Sequence, residues 1–318
     1  MYRKKAIIFG VSGQDGSYLS HFLLKKKYSV VGVTRKNSEK NLVRLKKLGI
    51  LGKVKILKGE ASNYKFCLKV IDSSIDEIYF LSGYSSVVGS FLNPHLSLKS
   101  NVSGLINILE IIKKRKLDIK LFNAGSGQFF GDNKKNFYNV HSKIEPKSPY
   151  GISKAAAFWL TKTYRENCDI FCCTGILFNH ESPLRSEEFV TKKIVDTAKK
   201  IKKNKKIILQ LGDINIYRDW GWAPDYVEAM WLILQRTKPQ DFIIGSGKVY
   251  SLKDFVFEVF KYLNISKKNL KTNVKKYKRK IDLKGYKANI HDTEKILKWR
   301  PNLKFKTIIH KMINDELF

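Results

Sequence analysis

The chain has 318 residues, 43% hydrophobic and 28% charged, a balance that excludes a collagen-like repeat, a disordered tail and a disulfide scaffold. At roughly 100–200 residues per domain it predicts two domains or one large α/β unit, and no run approaches the ~18 consecutive apolar residues of a membrane span. Lys and Arg number 61 against 28 Asp and Glu, a net charge of +33. The excess is mostly lysine in short pairs such as Lys113-Lys114, spread along the whole chain. That spread reads as solvated helix faces rather than a nucleic-acid surface, and the field suits an acidic substrate. The basic start at Met1–Lys5 resembles a leader, but its apolar run stops at Gly10, so a cytoplasmic protein without a membrane segment is expected. Cys67, Cys168, Cys172 and Cys173 form no CxxC pair. Cys172 and Cys173 fall in an apolar run and are expected to be reduced core residues.

Short runs rich in Val, Ile and Phe predict strands at 5–9, 29–34, 54–57, 77–81 and 119–123. Helical patterns fall between them at 18–26, 41–48, 63–71 and 102–114. Strand–helix alternation of this kind predicts an α/β, doubly wound parallel sheet of the Rossmann type. A helix at 149–168 and a strand at 170–177 complete the alternation. Beyond 178, helical patterns at 189–203, 226–235 and 252–263 are interleaved with loops. The expected division is a dinucleotide-binding unit over 1–178, with returning segments near 207–245. A smaller mixed unit over 179–206 and 246–318 would take the substrate.

The first predicted strand runs into Gly10-Val11-Ser12-Gly13-Gln14-Asp15-Gly16 and then a helix. A tight turn of small residues lets a helix N-terminus bring its free N–H groups to a pyrophosphate. The bland reading is a glycine turn and nothing more. The second strand ends at Thr34-Arg35-Lys36, where an NAD-binding sheet often carries an acid. Arg35 and Lys36 taken alone favour the 2′-phosphate of NADP. Further on, Tyr150 and Lys154 are spaced to share a helix face. A phenol titrates near 10, and a nearby ammonium group favours the phenolate, fitting Tyr150 to accept a hydroxyl proton. Ser126, beyond the fifth strand, is placed to hold the substrate oxygen beside it. No metal-ligand spacing accompanies these residues.

At these motifs the chain resembles the extended short-chain dehydrogenase/reductases, and more narrowly the GDP-mannose 4,6-dehydratase group. The resemblance rests on Gly13-Gln14-Asp15-Gly16-Ser17-Tyr18-Leu19, on Gly175 through Pro183 with its Asn179-His180-Glu181 core, and on Arg218-Asp219-Trp220-Gly221. It implies a dinucleotide held by Gly10, Gly13, Gln14, Asp15, Gly16 and Arg35, then by Glu60, Ala61, Leu81, Ser82 and Gly83. Tyr150, Lys154, Leu177, Asn179, His180 and Arg185 complete that set, with Arg185 on the cofactor side or at a subunit interface. It implies a GDP-linked sugar held by Ser126, Gln128, Asn179, Val190, Lys193, Arg218, Arg279 and Asp282, and a homo-oligomer, dimer or tetramer.

The group carries Thr-Ser-Glu where this chain has Ser126-Gly127-Gln128. Serine keeps the hydroxyl, but a carboxamide accepts no proton near neutral pH. The expectation is therefore C4 oxidation without elimination of water. Among relatives that only oxidise, the chain most resembles the GDP-D-glycero-α-D-manno-heptose 4-dehydrogenase type, which uses NAD, against the NADP reading of Arg35-Lys36. A 2-keto acid would then reoxidise the bound cofactor. The alternatives are a 4,6-dehydratase using another base, for which His141 is the nearby candidate, a 4-keto-sugar reductase, and a silent nucleotide binder.

Overall fold

The computed structural model describes residues 3–36, 38–131, 137–277, 285 and 287–318. Its strands, in chain order, begin with β1 (Lys5–Phe9), β2 (Ser29–Thr34), β3 (Lys55–Lys58), β4 (Glu77–Phe80), β5 (Lys120–Ser126), β6 (Phe137–Tyr138) and β7 (Cys172–Leu177). They continue with β8 (Asn179–Glu181), β9 (Leu209–Gln210), β10 (Tyr217–Trp222), β11 (Phe242–Ile244), β12 (Val249–Ser251), β13 (Leu270–Lys271) and β14 (Lys287–Ala288). The first helices are α1 (Gln14–Lys25), α2 (Glu39–Lys47), α3 (Tyr64–Val70), α4 (Val87–Leu92), α5 (Pro94–Leu98) and α6 (Gly104–Arg115). The later ones are α7 (Pro149–Cys168), α8 (Val190–Lys203), α9 (Ala223–Leu234), α10 (Leu252–Tyr262), α11 (His291–Leu297) and α12 (Phe305–Asn314).

Seven strands form one sheet in the order β11-β7-β5-β4-β1-β2-β3, and every neighbouring pair is parallel. This is the Rossmann-like, doubly wound α/β architecture. Side chains alternate across it. Ile8, Tyr79 and Phe122 face α1 and α9, whereas Ile7, Ile78 and Phe80 face α6. Within the returning segment, β11 extends this sheet and α9 packs on its α1 face, while β9 pairs with β13. A separate core gathers α8, α10 and α12 around Trp220 and Trp222. Leu297 and Trp299, near the end of the chain, belong instead to the core of the large sheet. Cys172 and Cys173 are buried free thiols.

The observed boundaries differ from the sequence pattern where backbone chemistry overrides periodicity. Helix α1 starts at Gln14 rather than 18, because the glycine turn itself supplies its first turn. Strand β5 runs to Ser126, so that residue ends the strand instead of following it. Ala124 and Gly125 permit the extension: a Cβ on Gly125 would lie 2.6 Å from Thr174 Cγ2 on the neighbouring strand. The short helices α4 and α5, and the π-helical turn Lys99–Ser103 before α6, have no counterpart in the predicted pattern. Among the described residues no helix is long and apolar enough to cross a membrane.

Candidate active site

The order of the sheet reverses at β1 and β4, and a cleft opens there beyond the strand ends. Gly10 turns out of β1 at φ +93°, and a Cβ there would lie 2.8 Å from Ser82 N. A Cβ on Gly16 would lie 2.3 Å from Gly10 O. These glycines let α1 close on the end of the strand. Gly13 caps α1 without a side chain, which leaves the first helical N–H groups open to the cleft. The cavity is about 690 Å³ and is lined by Gly10, Gly13, Gln14, Asp15 and Gly16 together with Arg35. Glu60, Ala61, Leu81, Ser82 and Gly83 form its far wall, and Leu177, Asn179, His180 and Arg185 close it from the other side. The cradle that Cβ atoms would fill, and the uncapped helix end, fit the pyrophosphate of a dinucleotide.

Two strings distant in sequence fasten this turn. Asp15 Oδ1 lies 2.9 Å from His180 Nε2, and Gln14 Oε1 accepts from Ser182 Oγ at 2.8 Å. Burial pushes the Asp15 carboxyl up, but the His180 charge and hydrogen bonds from His180 and Gln14 prevail, bringing it to about 2. Arg44, which the sequence gives no reason to single out among its lysines, also lines the cavity. Its Nε donates to Leu184 O at 2.7 Å and its guanidinium to Ser12 O at 3.1 Å.

Tyr150, Lys154 and Ser126 meet in the same cavity. Ser148 caps α7 by accepting Gly151 N–H at 3.0 Å, and Pro149 opens the helix. Tyr150 and Lys154 are thereby placed on its buried side. The expected influence of Lys154 on the phenol takes a different form. Lys154 Nζ donates to Ala124 O at 2.8 Å, and burial lowers its ammonium to about 8. Burial raises the Tyr150 phenol, opposed first by a hydrogen bond with Ser126 and then by the charge of Arg185. Without a ligand, Ser126 and Arg185 therefore favour the phenolate, and Lys154 is held to the strand.

A second cavity of about 180 Å³ adjoins the first, and Gln128, Asn179 and Phe189 line both. Val190 and the buried Arg218 line the second, with Glu181 and Thr191. Glu181 accepts from Thr191 Oγ1 at 2.6 Å and pairs with Arg185 at 3.4 Å. The Arg185 guanidinium lies 3.6 Å from the centre of the Phe189 ring.

The family model described as GDP-mannose 4,6 dehydratase matches residues 7–312. The GDP-mannose 4,6 dehydratase 1 of Arabidopsis thaliana is 36% identical, over 99% of this chain and 90% of the plant protein. The GDP-mannose 4,6-dehydratase of Yersinia enterocolitica is 35% identical, over 80% of this chain and 70% of its own. The chain belongs to the GDP-mannose 4,6-dehydratase family. A crystal structure of dTDP-glucose 4,6-dehydratase from Bacillus anthracis in complex with NAD superposes with a TM-score of 0.84 at 20% identity. That superposition covers 98% of this chain and 96% of the other, and confirms the fold.

Not every residue expected of this family member sits where the sequence suggested. Lys193 lines neither cavity: its Nζ donates to Gln210 O at 2.9 Å and lies 3.5 Å from the centre of the Tyr277 ring. His141 is exposed and also lines neither. Arg279 and Asp282 lie outside the described residues. Arg44 was missed because its partners, Leu184 O and Ser12 O, lie far away in the sequence, and such contacts carry no local signal.

Proposed function

We propose that this chain binds a GDP-linked sugar beside a nicotinamide dinucleotide and oxidises the sugar at C4, the step with which 4,6-dehydration begins. The observation that carries this reading is the meeting of Ser126, Tyr150 and Lys154 in the larger cavity, which shares Gln128 and Asn179 with the second. The relatives, named as GDP-mannose 4,6-dehydratases, favour GDP-mannose as substrate and completion of the dehydration. They do not support the narrower expectation of a heptose 4-dehydrogenase.

Ser126 orients the C4 hydroxyl, and Tyr150 as phenolate accepts its proton. Arg185 and the Ser126 hydrogen bond favour that phenolate. A bound dinucleotide would supply the acceptor for the C4 hydride. Gly10, Gly13, Gly16 and the open end of α1 would hold its pyrophosphate, and Lys154 is placed for the ribose beside Tyr150. NAD is the favoured form, as in the B. anthracis structure, while exposed Arg35 suits the 2′-phosphate of NADP. In the second cavity Arg218, with Asn179 and Val190, would receive the nucleotide diphosphate; an arginine fork matches phosphate oxygens.

One observation favours a second reading, in which the reaction stops at the 4-keto sugar nucleotide. Gln128 lines both cavities where the family carries its glutamate. A GDP-heptose substrate and a 2-keto acid hydride acceptor belong to this reading. Incubation with GDP-mannose or GDP-mannoheptose, with and without 2-oxoglutarate, followed by mass analysis, tests both. Loss of water supports dehydration and loss of two hydrogens supports the second reading. No change in any arm refutes C4 oxidation. The cofactor released on denaturation distinguishes NAD from NADP.

A further inference from the structure

Tyr150 is the second residue of α7, and its N–H is one of the amides that a helix start leaves without an internal partner. Ser148 takes the N–H of Gly151 but not that of Tyr150. The partner of the Tyr150 amide comes from 60 residues earlier: Ser90 Oγ accepts it at 3.1 Å. Ser90 is fully buried on α4, and its hydroxyl proton goes to Val87 O at 2.7 Å. The Tyr150 carbonyl accepts from Ser153 Oγ at 2.8 Å, and Ser153 in turn accepts from Asn101 Nδ2 at 3.1 Å. The peptide groups on either side of the Tyr150 Cα are thus both held by buried side chains. The hold on the N–H comes from α4, whose Val87 lines both cavities and whose Val88 and Phe91 line the second.

We propose that Ser90 is a positioning residue: it fixes the Tyr150 backbone against α4, so that the wall of the sugar cavity sets where the phenol points. This rests on Tyr150 being the proton acceptor. Losing the Ser90 hydroxyl leaves the Tyr150 amide buried without a partner, a condition that a polar group relieves by moving. The groups acting on the phenol are Ser126 from β5, Arg185 from the loop after β8 and Asp15 from α1; Lys154, one turn on along the same helix, donates to Ala124 O instead. A shifted Tyr150 moves away from the Ser126 and Arg185 contacts that favour the phenolate.

The test is single-turnover C4 oxidation by the dinucleotide-loaded full chain with GDP-mannose or GDP-mannoheptose, across pH. Ser90→Ala should slow the step about tenfold or more, because a misplacement of order 1 Å costs up to ~10²-fold. The rising limb of its pH profile should also move to higher pH. Thr161→Val, which removes a buried hydroxyl bonded to Ala157 O on the far part of the same helix, serves as the control for lost stability and should leave the limb in place. If Ser90→Ala does not fold, Ser90→Cys keeps the bulk with a weaker acceptor and should show the same alkaline shift with a smaller loss of rate. An unchanged limb with a loss of rate no greater than in Thr161→Val overturns the proposal. If Tyr150→Phe itself turns over normally, the assignment of Tyr150 fails. If Tyr150→Phe is inactive and the Ser90 variants are normal, only the role of Ser90 fails.

Discussion

His180 Nε2 sits 2.9 Å from Asp15 Oδ1, joining the glycine turn to a strand 165 residues away. The ring's other nitrogen lies 2.8 Å from Phe178 O, and the ring packs on Tyr226 with centroids 4.5 Å apart. The floor of the larger cavity is thus held by a pair whose strength depends on pH. Asp15 is lowered from 3.8 to about 2. A depressed carboxyl contributes stability that is present above its unfolded value and is lost as pH falls through its folded value. At ~1.4 kcal/mol per unit the contribution is about 2 kcal/mol. Asp15→Asn should therefore be less stable than the parent at pH 6, and the two should converge as pH falls from about 4 to about 2. Chemical denaturation at several pH values checks this, and a gap that persists below that window refutes it.

Lys154 should act in the opposite sense on stability. Burial lowers it from 10.5 to about 8, so the folded state disfavours the charged form. The penalty is complete below about 8 and is relieved as pH rises toward the unfolded value. Lys154→Met should stabilise the ligand-free protein at pH 7 by about 1–2 kcal/mol, after allowing for the lost hydrogen bond to Ala124 O. The gain should shrink as pH rises from about 8 to about 10, while C4 oxidation is lost at every pH. Thermal melts across pH, read beside activity, decide it.

Tyr150→Phe should fold and keep dinucleotide affinity, yet lose C4 oxidation by ~10²-fold or more, as expected when a positioned acid–base group is removed. Stopped-flow measurement of reduced cofactor is the check, and near-normal turnover would remove Tyr150 from the mechanism.

Much of this site was legible because its signals are local. Gly10 through Gly16 announce a turn in which side chains do not fit, and Tyr150 and Lys154 are one helical turn apart whatever the surrounding fold. The parallel sheet was legible because its buried strands are short apolar runs. Illegible were the features that exist only after folding. Ser90 is one serine in a segment too short and irregular to show a helical period. Arg44 looks like one more cation on a lysine-rich helix until Leu184 O and Ser12 O are brought to it. Lys193 stands in a string resembling the family's, and its side chain lies against Tyr277 and Gln210 O, contacts that no local pattern announces. Ser126 lines the cavity and ends β5 rather than following it, because Ala124 and Gly125 resemble a loop in sequence and pair as strand in the sheet.

Arg218 is buried in the wall of the second cavity. Arg218→Ala should weaken GDP binding roughly 10- to 100-fold, the equivalent of a charge-assisted contact of about 1.5–3 kcal/mol. Dinucleotide affinity should change little, since Arg218 does not line the larger cavity. Calorimetric titration with each ligand separates the two effects, and unchanged GDP affinity would refute the assignment.

Gln128 decides between the two proposed outcomes. It follows Ser126 in the turn Gly127–Phe130, with its N–H 3.3 Å from Ser126 Oγ, so its place is fixed by the residue that would hold the C4 oxygen. Gln128 borders both cavities. Once C4 is a ketone, elimination requires a base for the proton on the adjacent carbon, and a carboxamide near neutral pH is not one. Gln128→Glu places a carboxylate on the same backbone without changing the number of side-chain heavy atoms. The variant should eliminate water from the 4-keto sugar nucleotide at least ~10²-fold faster than the parent, the usual scale of a positioned general base. On the second reading the parent, assayed alongside, should accumulate the 4-keto product, with turnover that depends on an added 2-keto acid. Mass analysis of both reactions reads the outcome directly. If the parent already loses water as fast as Gln128→Glu, another group supplies the base, and the amide at position 128 has no bearing on where the reaction stops.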